Sequence, residues 1–73
     1  MITLHPTSTR VSEGFVPMIT MRNTKGQMRG SMTPQGVARE FRTFSNAMAA
    51  EIEARVIALR CASDYPNALR VSL

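Results

Sequence analysis

Gly14-Phe15-Val16-Pro17-Met18-Ile19-Thr20-Met21-Arg22 runs into Asn23-Thr24-Lys25-Gly26 and then into Gln27-Met28-Arg29-Gly30-Ser31-Met32. This stretch decides the fold. From Phe15 to Arg22, Phe15, Pro17, Ile19 and Met21 share one side of an extended chain. Val16, Met18, Thr20 and Arg22 share the other. Pro17 has no backbone donor, so this strand needs a free edge or an irregularity there. Asn23 to Gly26 is a hairpin connection, in which Gly26 takes the positive φ of a bulged turn. Gln27 to Met32 returns as a second strand. After the turn Thr33-Pro34-Gln35-Gly36, Val37 to Arg42 is read as a third.

Upstream, Met1 to His5 alternates and reads as a short strand stopped by Pro6, with Thr7 to Gly14 as a loop or loose arm. Downstream, Asn46 to Ala62 lacks Gly and Pro and is rich in Ala, which is strong helix material. Thr43 or Ser45 is the expected N-cap. Asp64-Tyr65-Pro66-Asn67 ends the helix, and Leu69, Val71 and Leu73 alternate as a short terminal strand. The expectation is an α+β domain over residues 1–73. An arm spans 1–14, an antiparallel three-stranded sheet 15–42, one C-terminal helix 44–63, and a tail 64–73. Short terminal strands can add to the sheet.

The helix is apolar on two sides. At 100° per residue, Met48, Ile52, Val56 and Leu59 cover a stripe about 80° wide, the natural one to lie on the sheet. With Phe15, Ile19 and Phe41, the residues Ile52, Val56 and Leu59 are the expected core. Ala50, Ala54, Ile57 and Cys61 form a second stripe roughly 160–180° away. Either the terminal segments cover that second stripe, or it is the interface of a two-fold homodimer. Glu51 with Arg55 and Glu53 with Arg60 are the wetted ridges, and Glu51 to Arg55 has the favourable i,i+4 orientation.

The chain has 73 residues and a net charge of +4. A chain this short buries only about 60% of its unfolded surface, so its core is thin. The charge is local. Residues 15–43 carry Arg22, Lys25, Arg29, Arg39 and Arg42 against Glu40 alone, while the other segments balance. Eight of the nine cations are arginine, whose planar fork binds phosphate bidentately. These five residues are the candidate nucleic-acid contacts. Duplex DNA and an acidic protein surface both match the pattern.

Catalytic chemistry has little to work with. The chain offers one His and one Cys. His5 reads as a strand-end histidine and Cys61 as a small hydrophobe on the helix. Glu51 and Glu53 point about 160° apart on the helix and cannot form a carboxylate pair. No zinc spacing, metal cluster or Gly-rich phosphate loop is present, and no cofactor is expected. Phe15 and Phe41 read as core, which argues against stacking on single-stranded bases. No apolar run approaches a membrane span, and the N-terminus lacks a signal pattern, so a reducing cytoplasm is expected.

The segment Gly14 to Arg22, the turn Asn23-Thr24-Lys25-Gly26, the basic strand from Gln27-Met28-Arg29, and Phe41-Arg42-Thr43 before an Ala-rich helix carry a resemblance. The layout over residues 14–62 resembles the AP2-like arm-binding domain of phage tyrosine integrases. There a strand ends at an Asp/Asn-x-x-Gly turn, a basic strand follows, and Phe-x-Thr leads into the helix. The resemblance implies a three-stranded sheet on one helix and contact with duplex DNA. The size is similar to that of small accessory proteins of phages and mobile elements. Two functions follow as expectations: a non-enzymatic nucleic-acid-binding accessory protein, or a phage-type module that binds and modulates a host or phage protein.

Overall fold

The alternating segments pair as a sheet, and the Ala-rich segment crosses it as one helix. The computed structural model describes residues 1–32 and 43–72. Its elements are β1 (Ile2–Val11), β2 (Gly14–Arg22), β3 (Met28–Met32), α1 (Ala47–Asp64) and β4 (Leu69–Val71). The sheet order is β3-β2-β1-β4. β1 pairs antiparallel with β2, β2 antiparallel with β3, and β1 parallel with β4. The α+β class with a C-terminal helix holds, but the described sheet is mixed and four-stranded. The third strand expected at Val37 to Arg42 lies outside the described residues.

The largest correction to the strands is β1, which does not stop at Pro6. Ile2 turns its N–H toward β4 and donates to the Ala68 carbonyl at 2.9 Å. Strand periodicity points the Pro6 nitrogen the same way. β4 ends level with Leu4, where Ser72 donates to the Leu4 carbonyl at 2.9 Å. The missing donor of Pro6 therefore falls beyond the last rung and costs no ladder bond. The Pro17 nitrogen points to the side of β2 on which Phe15 donates to Phe44. Pro17 sits between Ile19, which pairs with Met32, and Phe15, which bridges to Phe44.

That bridge also sets the start of α1. Phe15 and Phe44 exchange N–H···O bonds of 2.9 and 2.8 Å, so the chain is still extended at Phe44. The helix begins only after Asn46, whose side-chain oxygen accepts from the Ala49 N–H at 2.8 Å. Asn46, rather than Thr43 or Ser45, is the N-cap. At the other end the Tyr65 N–H donates to the Cys61 carbonyl. The Tyr65 carbonyl then accepts from Ala68 and Leu69, which turns the chain into β4.

The helix is rotated relative to the sequence expectation. Ala50, Ala54 and Ala58 have no exposed surface, and they lie on the sheet side of α1 with Leu4 and Ile19 in the core. Ile2, Met21, Ile57, Cys61, Leu69 and Val71 pack around that core. Met48, Ile52, Val56 and Leu59, expected inside, are exposed. Phe15 is half-buried, Ile19 is buried as expected, and Phe41 lies outside the described residues. The reason is volume. The inner sheet face already carries large residues on every strand that the helix crosses. A row of methyl groups at i, i+4 and i+8 lets the helix come close without overpacking them. The stripe expected at a subunit interface, Ala50, Ala54, Ile57 and Cys61, is thus an intrachain seam.

Two stability experiments follow. Ala54→Leu should overpack the seam and cost about 1–3 kcal/mol. Ile52→Ala should cost less than about 1 kcal/mol, because half of that side chain is already in water. Denaturant melts of both variants at low micromolar concentration check this order. Glycine substitutions separate strain from collision. Gly26 has φ 79° and open space around it, so Gly26→Ala should cost about 1 kcal/mol. Gly14 has φ 142°, and a Cβ there would lie 2.5 Å from the Phe44 carbonyl oxygen. Gly14→Ala should cost about 3 kcal/mol or more by also breaking the Phe15–Phe44 bridge. Equal melting shifts for the two would refute this account.

Candidate functional site

Because α1 covers one face of the sheet, the other is left to water at the end where β1 begins. Register places its residues. Thr3 pairs with Arg22 on one side and with Arg70 on the other, and paired residues share a face. Arg22 and Arg70 therefore flank Thr3, with backbones about 10 Å apart at normal strand spacing. His5 lies next along β1, paired with Thr20. At the far end of β2, Val16 is buried, so the open area is confined to the Arg22 end.

A β-bulge in β3 lies beside Arg22. The β2–β3 register shifts between Met21 and Arg22: Met21 pairs with Gly30, but Arg22 pairs with Met28. Arg29 is the extra residue. Gly30 faces the helix side, since a Cβ there would meet the Met21 methyl at 3.5 Å. Met28 stands in register with Arg22, and alternation from Gly30 turns the exposed Arg29 to the open side next to Met28. The row Met28, Arg22, Thr3, Arg70 crosses all four strands, a span of about 14 Å, with Arg29 at the bulge next to Met28.

The Asn23–Gly26 turn fixes the edge of this row. The Asn23 side-chain oxygen accepts from the Lys25 N–H at 3.0 Å and from the Gln27 N–H at 2.9 Å. The Asn23 backbone N–H donates to the Gln27 carbonyl, and the Gly26 N–H to the Asn23 carbonyl, both at 3.0 Å. Arg22 donates from Nη1 to the Gly26 carbonyl at 3.0 Å. One of its five N–H groups is thus used to hold the guanidinium against the turn. Lys25 stands exposed at the tip.

Between these groups lies an open concavity of about 510 Å3, walled by Met1, Thr3, His5, Arg22, Asn23, Thr24, Gly26, Arg70 and Ser72. Among the described residues that wall it there is no carboxylate side chain. Its chemistry is hydroxyls, amides and guanidinium groups, which suits an anion. Of the five cations singled out from sequence, Arg22, Lys25 and Arg29 meet at this end of the sheet. Arg39 and Arg42 lie outside the described residues. Arg70 was missed, because Asp64 cancels it when charge is summed along the chain. Its strand alternation was the available signal.

Among the described residues, no group of three or more His, Cys, Asp or Glu could hold a metal ion. Cys61 is a free, half-buried thiol packed on the core. Among the same residues, no helix is long and apolar enough to cross a membrane. Comparison with protein-family models, curated proteins and solved structures gives no match.

Proposed function

We propose that this chain is a small non-enzymatic nucleic-acid-binding accessory protein that contacts duplex phosphates through its open sheet face. The observation that carries the reading is the row Arg22, Thr3, Arg70 with Arg29 at the adjoining bulge, and no carboxylate side chain among the described residues that wall the concavity. Guanidinium forks on a flat, polar face suit phosphate oxygens. The described part of that face presents no Phe or Tyr, so backbone contact to a duplex is favoured over base stacking. Lys25 extends the row at the turn, and Arg39 and Arg42 belong to the same reading from sequence. The resemblance to integrase arm-binding domains supports it, as does the shared order of strand, Asn-x-x-Gly turn, basic strand and helix. A cytoplasmic protein of a phage or mobile element is the setting this implies.

A second reading, a module that docks on a host or phage protein, is favoured by a different observation. The exposed stripe of Met48, Ile52, Val56 and Leu59 is a protein-binding type of surface.

The two readings separate in a salt titration. Four cations on the face and its turn (Arg22, Lys25, Arg29 and Arg70) should release about four phosphate counterions. Fluorescence anisotropy with a labelled generic duplex should then give a slope of log K against log salt of about −3 to −4. Arg22→Ala, Arg29→Ala and Arg70→Ala should each weaken binding and flatten that slope by about one. Arg55→Ala, on the helix, should leave it unchanged. No binding at 50 mM salt, or equal effects from all four variants, would give first place to the protein-docking reading.

A further inference from the structure

The outer face of α1 carries Met48, Ile52, Val56 and Leu59, exposed by 70, 50, 46 and 46%. These are four large apolar residues in one stripe of a chain with little core to spare, directly opposite the alanine seam. A stripe this contiguous on a small protein marks an interaction surface. The charges beside it say what covers it.

Glu53 and Arg60 are seven residues apart and therefore lie on the same flank of the stripe. Consider a second α1 laid antiparallel on the first, with a two-fold axis through Val56. Such an axis brings like flanks together and reverses the order along the helix. Ile52 then meets Leu59 of the copy within one residue's rise, and Val56 meets its own counterpart. Glu53 meets Arg60 of the copy, and the symmetry makes each contact twice. On the other flank Glu51 and Arg55 are spaced i,i+4 within one chain, so that flank asks nothing of the copy. No other occupant is specified so fully by the sequence of the helix itself. The geometry points to a two-fold homodimer through the outer face of α1, sealed by reciprocal Glu53–Arg60 pairs.

Four half-exposed side chains and their flanks supply less than the roughly 800 Å2 per partner of a standard interface. The dimer is therefore a weak one, assembled in the micromolar range. Its layers run sheet, helix, helix, sheet, so the two basic faces look outward in opposite directions. Assembly itself does not depend on the nucleic-acid reading, and its test contains no nucleic acid.

Sedimentation velocity of the full chain from about 5 to several hundred micromolar should show a reversible monomer–dimer equilibrium. Val56→Glu sets two carboxylates face to face on the axis and should weaken the dimer at least tenfold. Circular dichroism checks that its helix persists. Glu53→Arg and Arg60→Glu should each weaken self-association several-fold. Mixed one to one, those two single variants should associate as tightly as the parent chain, because each supplies the charge the other lacks. Monomer throughout would overturn the proposal and leave the stripe to another protein. A Val56→Glu chain that dimerises like the parent would overturn it by placing the interface elsewhere. A mixture no tighter than its components would refute the antiparallel pairing. If Val56→Glu loses its helix, the charge-swapped pair decides alone.

Discussion

The structure depends on a seam of three methyl groups. Ala50, Ala54 and Ala58 stand fully buried at successive turns of α1, facing a sheet whose own inner residues are large. Close packing rewards this pairing of small against large, since interiors tolerate neither gaps nor excess volume. Everything else about the molecule's surfaces follows from that contact. It fixes which side of the helix is hidden, and so which side is shown. It also commits the helix to one face of the sheet, leaving the Arg22 end of the opposite face open.

Much of the fold was legible in the sequence. The alternation from Phe15 to Arg22, the Asn23–Gly26 turn and the Gly- and Pro-free helix each declare one element through local chemistry. What misled were Pro6 and the two-sided helix. A proline stops a strand only if its nitrogen faces a partner, and for Pro6 the partner strand is 65 residues away in sequence and too short to reach. Helical periodicity identifies two apolar stripes without ranking them. The larger stripe was expected inside because it removes more area from water. That argument leaves out the sheet, whose inner face had already filled the space.

The candidate site was half legible for a related reason. Charge summed along the chain finds Arg22, Lys25 and Arg29 because a hairpin holds them together. It cannot find Arg70, which reaches the same face only because β4 adds in parallel beside β1. Alternation does place Arg29 on this face, and an unbroken ladder would set it opposite Arg22. The bulge between Met21 and Arg22 moves it out of register and puts Met28 on that rung instead.

The described helix covers one face of the sheet, so the Arg22 end of the other sheet face and the outer face of the helix are both shown. Here the two are chemically distinct. The sheet face concentrates guanidinium groups. The helix sets Glu51, Glu53 and Asp64 against Arg55 and Arg60 around an apolar stripe. Copies of the chain would repel one another through their sheet faces and not through their helices. In the proposed dimer two helix layers lie between the basic faces, and helix axes pack about 8–10 Å apart. With the sheets outside them, the like-charged faces stand farther apart than the roughly 8 Å over which physiological salt screens charge. Self-association on the helix side and phosphate contact on the sheet side are therefore compatible, because the seam that hides the alanines also keeps the two surfaces apart.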